Sequence, residues 1–345
     1  MKAVVITEHG DLEKVRIEQV PDPQPTEDEV VVQVRTAGLN HLDIWIRKGR
    51  GNLNLSMPHV LGSDAAGIVC AVGSNVKNTK VGDEVVINPG LSCGYCESCR
   101  RGEQSECISF GIMGMSRPGT FAEKVAVPAR NVLSKPAHLN WEEAGAFVLS
   151  HTTAWRMVMS KGLVQPGQSV LIHGIGGGVA LAALQFAKLA GGQVIVTSSS
   201  DEKLRRAKDI GAGYIINYRT VSDMLKYIKD ITGGASVDVV IDTVGAATWP
   251  IDFSIVRKGG KIVLCGVTSG PATQTDLRTL YWNQLTILGS TMGSDADLSA
   301  MFRAITTTRL RPVIDSVMSL VNAREAMARM EAAEQFGKIV LKISD

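Results

Sequence analysis

Ser169-Val170-Leu171-Ile172-His173-Gly174-Ile175-Gly176-Gly177-Gly178-Val179-Ala180 decides the fold. An apolar run of strand length ends in a turn made almost wholly of glycine, and an alanine-rich helical stretch over 179–190 follows at once. In that succession, backbone N–H groups and the positive end of a helix dipole face a pyrophosphate. Gly174, Gly176, Gly177 and Gly178 are the expected cradle, with Val179 opening the helix. Ala180 stands where close packing of helix on strand needs a small side chain.

Downstream the same alternation continues. Apolar strands are expected over 193–197, 237–242 and 261–265, with a helix over 203–210. Continuous apolar strands separated by helices make a parallel sheet covered on both faces, a Rossmann-type doubly wound domain. Helices near 298–307 and 322–334 and a strand over 337–343 close the chain. Upstream, from residue 3 to 127, short β-branched runs are broken by Gly, Pro and Asp, the texture of an antiparallel β domain. The change comes near Asn140, where Glu143 three residues on resembles a capping box.

Composition narrows the functional classes. A chain of 345 residues suggests two domains at roughly 150 residues each. With 36 Lys and Arg against 34 Asp and Glu, it lacks the basic footprint that nucleic-acid binding needs. No apolar run approaches the ~18 residues of a membrane span, and the opening Met1-Lys2-Ala3-Val4-Val5-Ile6-Thr7 lacks a secretory core, so a cytoplasmic enzyme is expected.

Four of six cysteines, Cys93, Cys96, Cys99 and Cys107, fall within fifteen residues, whereas Cys70 and Cys265 stand alone. Four soft ligands on one loop, with Gly90, Gly94 and Gly102 to turn it, specify one closed, tetrahedral structural Zn2+ per chain. Free thiols, a disulfide and an iron–sulfur cluster are the alternatives. The dinucleotide is expected to be NADP(H): the second strand ends in Ser198, Ser199 and Ser200 in place of a carboxylate, and Lys203, Tyr218 and Arg219 stand close in sequence. Asp201 argues the other way, for NAD.

The order of these features resembles the medium-chain dehydrogenase/reductase family over essentially the whole chain. The resemblance is carried by 37–43 (AGLNHLD), 61–67 (LGSDAAG), 81–85 (VGDEV), 119–123 (GTFAE) and 337–340 (GKIV). It implies a GroES-like β domain with the zinc lobe, residues 1–138 and 297–345, around a Rossmann domain of residues 139–296. It also implies an active site in the cleft between domains, an edge strand over 285–290 through which members dimerise, and a homodimer or homotetramer. His41, Thr153, Val244, Gly266, Val267 and Ser290 would then join the glycine turn around the cofactor.

The chain departs from the zinc alcohol dehydrogenases of that family at the catalytic metal. Their Cys, His-Glu and Cys ligands are here Asn40, Ser63-Asp64 and Leu149, and their proton-relaying Ser or Thr is Leu42. That set holds no zinc. The resemblance is then to the quinone oxidoreductase branch, which implies NADPH-dependent hydride transfer to an electrophilic small molecule, a quinone or α,β-unsaturated carbonyl. Asn40 is expected to bond the acceptor or the nicotinamide ribose, Asp43 a backbone N–H or Ser63, and His151 to line the cleft as a proton source. Trp45 and Tyr95 are candidates for an apolar acceptor pocket. An alcohol dehydrogenase or aldehyde reductase built on Asn40, Ser63, Asp64 and His151 is one alternative, and a non-catalytic dinucleotide sensor the other.

Overall fold

Short β-branched runs become short strands up to Ser134: β1 (Lys2–Ile6), β2 (Val15–Gln19), β3 (Glu29–Gly38), β4 (His59–Val60), β5 (Ala66–Val72), β6 (Glu84–Ile87), β7 (Gly90–Leu91), β8 (Gly111–Ile112), β9 (Lys124–Pro128) and β10 (Val132–Ser134). Helices α1 (His41–Arg47) and α2 (Glu97–Arg100) interrupt them. After α3 (Trp141–Ala144) and α4 (Val148–Trp155) come β11 (Ser169–Ile172), α5 (Gly178–Leu189), β12 (Gln193–Ser198), α6 (Asp201–Ile210), β13 (Tyr214–Asn217), α7 (Met224–Ile231) and β14 (Val237–Asp242). Then follow α8 (Trp249–Ile255), β15 (Val256–Leu264), α9 (Leu277–Trp282), β16 (Thr286–Gly289), α10 (Asp295–Thr308), β17 (Ile314–Ser319), α11 (Ala323–Glu331) and β18 (Lys338–Lys342). The structure is a computed structural model and describes residues 1–49 and 55–344.

Two compact units result, Met1–Ser150 with Phe302–Asp345, and His151–Met301. These bounds lie later than the expected 138 and 297, for a local reason. The Asn140 capping box forms, with Asn140 Oδ1 accepting the Glu143 N–H at 2.8 Å and Glu143 Oε2 accepting the Asn140 N–H at 3.0 Å. The helix it starts is tied to the β unit: the Thr36 hydroxyl donates to Trp141 O at 2.6 Å, and Arg311 donates to both Glu143 oxygens at 2.7 and 2.9 Å.

In the first unit a seven-stranded sheet runs β10-β6-β5-β3-β18-β17, with β9 also on β3. One edge of β3 is shared: Glu29 to Gln33 pair with β9, and Thr36 to Gly38 with β18. The pairs around β3 are antiparallel, as expected, but β17 and β18 are parallel because α11 crosses between them. Val32, Val34, Ile46, Phe121, Ile339 and Leu341 meet in its core, so the C-terminal segment is integral to it.

The second unit holds a six-stranded, wholly parallel sheet in the order β13-β12-β11-β14-β15-β16. Every residue of β11 is buried, as the uninterrupted apolar pattern requires. On α5, Ala180, Ala183 and Ala187 are fully buried, letting the helix approach the sheet closely. Chain order reverses between β11 and β14, which opens a crevice outside the carboxyl ends of the strands. β16 is an edge strand. Among the described residues no helix is long and apolar enough to cross a membrane.

Candidate active site

The turn after β11 has the conformation the glycines imply. Gly174 and Gly176 take φ of +68° and +118°, a region that side chains rarely enter, and Gly177 caps α5 from extended backbone. A Cβ on Gly177 would find only Gly174 O, at 3.7 Å, so the backbone is open to a ligand there. Gly178 is the first residue of α5 and Val179 the second, placing its unpaired N–H groups at the turn.

The other expected cofactor residues of this unit gather at the same sheet ends. Val244 follows β14, and its N–H donates to Asp242 Oδ1 at 2.7 Å. Gly266 and Val267 follow β15, where a Cβ on Gly266 would stand 2.8 Å from Thr243 O. Ser290 follows β16; it is buried, and its hydroxyl has no partner among the described residues. A buried orphan hydroxyl at a strand end is what a bound ligand would satisfy. The Thr153 hydroxyl reaches the Met292 sulfur at 3.8 Å, two residues beyond Ser290. Open backbone, helix N-terminus and orphan hydroxyl fit a dinucleotide.

At the tip of β12 Ser198 is buried, and its hydroxyl oxygen accepts the Ser200 N–H at 3.1 Å. Ser200 caps α6 by accepting the Lys203 N–H at 3.3 Å. Ser199 is half-buried, Lys203 lies in the first turn of α6, and Tyr218 is exposed beside them, its N–H on Ser198 O at 3.2 Å. The competing carboxylate, Asp201, is held by the Asn217 amide at 2.7 Å.

His173, which no motif marks, ties this end of the sheet together. One ring nitrogen meets Thr197 Oγ1 at 3.0 Å and the other Asp252 Oδ1 at 2.8 Å. Burial pushes the Asp252 carboxyl up to about 6, against the pull of His173. His151, expected as a proton source, is buried with its ring edge-on to Phe186 at 5.9 Å.

In the first unit, the sulfurs of Cys93, Cys96, Cys99 and Cys107 lie within 4.8 Å of one another. Cys93 and Cys99 are 3.9 Å apart, Cys93 and Cys107 3.5 Å. Four sulfurs about 2.3 Å from a tetrahedral zinc are separated by about 3.8 Å, so the donor set fits the ion. Backbone N–H groups of Cys99 and Ile108 hold Cys96 down to about 6, favouring the thiolate. Gly94 and Gly102 turn the loop with positive φ, whereas Gly90 lies in β7, paired with β8. Tyr95 is 70% exposed on this lobe.

A buried polar cluster forms around Asp64. Its Oδ1 accepts the Leu149 N–H at 2.8 Å; its Oδ2 accepts the Asn40 amide at 3.1 Å and the Lys338 ammonium at 3.2 Å. Lys338 also donates to Asn40 Oδ1 at 2.5 Å, and the Asn40 amide to Gly38 O at 3.3 Å. Asp43 caps α1, its Oδ2 on the Asn40 N–H at 2.7 Å, and burial pushes its carboxyl up to about 7 with Lys338 opposing. Ser63 lies apart from this network: its hydroxyl donates to Met113 O at 2.8 Å. His41 opens α1, its ring 6.4 Å from that of Trp45, with its pKa lowered by burial and by Lys338.

Two family descriptions match the chain: an alcohol dehydrogenase GroES-like domain over residues 26–137 and a zinc-binding dehydrogenase over 178–307. A zinc-type alcohol dehydrogenase-like protein of Schizosaccharomyces pombe is 32% identical, with 99% of each chain aligned. The chain belongs to the medium-chain dehydrogenase/reductase family. A crystal structure titled as an NAD-dependent alcohol dehydrogenase superposes with a TM-score of 0.95 at 43% identity, covering both chains completely. Crotonyl-CoA carboxylase/reductase of Cereibacter sphaeroides is 33% identical over 93% of this chain and 82% of its own.

As a medium-chain dehydrogenase/reductase the protein is an oxidoreductase of GroES-like and Rossmann architecture, using a nicotinamide dinucleotide and a structural zinc. A catalytic zinc does not fit. Of the positions that the resemblance pairs with that metal, Asn40 and Asp64 are bonded to each other and to Lys338, the Ser63 hydroxyl donates to Met113 O, and Leu149 offers only its backbone. Among the described residues the four cysteines are the one group of three or more metal-type side chains placed to share an ion.

Proposed function

We infer that this medium-chain dehydrogenase/reductase is an NADPH-dependent reductase that delivers hydride to a quinone or an α,β-unsaturated carbonyl without a catalytic metal. The observation that carries the reading is the Asp64 cluster: both carboxylate oxygens are engaged by N–H donors and an ammonium. Oxidising an alcohol calls for stabilisation of an alkoxide, which zinc supplies in metal-assisted sites. Reducing an activated double bond asks less, because the acceptor is already electrophilic and the cofactor supplies the hydride. Crotonyl-CoA, named in one relative, is an acceptor of that class.

NADPH is favoured by the β12 tip, where Asp201 is held by Asn217 and Ser199 and Lys203 stand in place of a ribose-binding carboxylate. The reading extends to a cytoplasmic homodimer or homotetramer. A second reading, an NAD-dependent alcohol dehydrogenase, is favoured by the name of the 43% identical structure.

Initial rates with NADPH and NADH against quinones, enones, aldehydes and secondary alcohols, on protein of measured zinc content, separate the two. Expected are NADPH consumption with enones or quinones and one zinc per chain. Faster oxidation of an alcohol with NAD, or tighter binding of NADH than NADPH, would sink the first reading.

A further inference from the structure

A turn of glycines has few side chains to hold it, yet a pyrophosphate cradle binds well only when its N–H groups stand in place before the ligand arrives. Within the turn after β11, the Ile175 N–H donates to Thr197 O at 3.1 Å and the Gly177 N–H to Gly174 O at 3.3 Å. The first of these bonds makes β12 the anchor of the turn. The Thr197 hydroxyl is itself bonded to the ring of His173, the residue that precedes Gly174. His173 therefore closes a loop that runs from its ring to Thr197, from the Thr197 carbonyl to Ile175, and back along the chain through Gly174.

A second loop passes through the same imidazole. Its other nitrogen meets Asp252 on α8, the helix that follows the turn after β14. In that turn Asp242 accepts the Val244 N–H at 2.7 Å, the Gly245 N–H at 3.2 Å and the Thr248 hydroxyl at 2.9 Å. Val244 is also the side chain that a Cβ on Gly174 would meet first. The glycine turn is thus braced from both strands that flank β11, and His173 is common to the two braces.

A hydroxyl, an imidazole and a carboxylate bonded in line can activate a nucleophile, but Thr197, His173 and Asp252 are 1%, 2% and 0% exposed, so no substrate reaches the hydroxyl. Burial lifts the Asp252 carboxyl only to about 6, which leaves it ionised at neutral pH. His173 Nε2–H then donates to Asp252 Oδ1, and Nδ1 accepts the Thr197 hydroxyl. The other oxygen of Asp252 has no partner among the described residues, so His173 is what compensates this carboxylate.

We propose that His173 is a positioning residue for the dinucleotide: by bonding Thr197 and Asp252 at once, it fixes the glycine turn in the conformation that receives the pyrophosphate. The proposal rests on the use of a dinucleotide and is independent of the choice between NADPH and NADH and of the acceptor.

The test is a set of four proteins, wild type, His173→Phe, His173→Asn and the double variant His173→Phe with Asp252→Leu. Each is measured at neutral pH for Tm and for the Kd of NADPH and of NADH by fluorescence titration. His173→Phe breaks both bonds and strands the Asp252 carboxylate, so Tm falls and Kd rises about tenfold, the scale of one internal hydrogen bond. The double variant removes the stranded charge and should recover Tm with affinity still low. His173→Asn puts an amide oxygen near the place of Nδ1, within reach of the Thr197 hydroxyl, and leaves Asp252 without a donor. It should regain affinity at a Tm as low as that of His173→Phe. Affinity that follows Tm across the four proteins, or a Kd for His173→Phe equal to that of wild type, overturns the proposal. The ratio of variant to wild-type Kd decides it with either dinucleotide, so tighter binding of NADH would sink the NADPH reading alone.

Discussion

Asp43 carries a consequence that can be read in a melting curve. Its carboxyl is fully buried and pushed up to about 7, so the folded protein holds that proton more tightly than the unfolded chain does. The stability it contributes is complete below the ordinary carboxylate range and is lost as pH rises through about 7. In Asp43→Asn, which keeps an acceptor for the Asn40 N–H, that loss should vanish. The Tm of the wild type relative to the variant is expected to fall steadily between pH 5 and 8; a constant difference would show that Asp43 stays ionised.

At this scale some residues declared themselves and others could not. Asn140 and Glu143 are three positions apart, so their reciprocal caps follow from spacing alone. Lys338 stands 298 residues from Asn40 and 274 from Asp64, and only the pairing of β18 with β3 brings them together. Nothing in Gly-Lys-Ile-Val marks its lysine as buried. Asn40, readable as a ligand for the acceptor, proves to be engaged by Lys338, Asp64 and Gly38.

Among the elements, the strand, turn and helix from β11 through α5 were the most legible, since period, glycine content and order agree. A Cβ at Gly174 would stand 3.1 Å from Val244 Cγ2, on backbone at φ +68°. Gly174→Ala should therefore cost about 1 kcal/mol of stability and weaken NADPH binding about tenfold by shifting the cradle, measurable by a melt and a fluorescence titration. Unchanged affinity would mean that the pyrophosphate lies elsewhere. The parallel partnership of β17 and β18 was not legible, because strand texture carries no direction; α11 between them was the available sign. Gly90 likewise reads as a turn, since a two-residue strand is too short to show a period.

For the whole molecule, cysteine spacing made the metal lobe readable, and the substituted ligand positions lead to the expectation of a single zinc. We expect metal analysis to return one zinc per chain, and Cys99→Ser to lose it. Few apolar side chains replace the ion inside that loop: Cys99 and Cys107 are themselves buried, while Tyr95 and Ile108 are exposed. Loss of zinc should lower Tm by about 5 °C or more, as expected for a loss of a few kcal/mol in a protein of this size. A zinc-free variant with wild-type Tm would remove the structural role.

The place of β18 between β3 and β17 also orders events during synthesis. At roughly 5–20 residues per second, the 298 residues from Asn40 to Lys338 take roughly 15–60 s to emerge. Residues 151–301 are complete within that interval and contiguous, so the second unit has its whole sheet available for folding first. Meanwhile the leading 150 residues wait with two strands of their sheet, β17 and β18, missing and Asp64 without its counter-ion. The protein thus finishes its first unit last, and the nascent chain exposes the open edge of β3 to chaperones or to neighbouring chains until the final strand arrives.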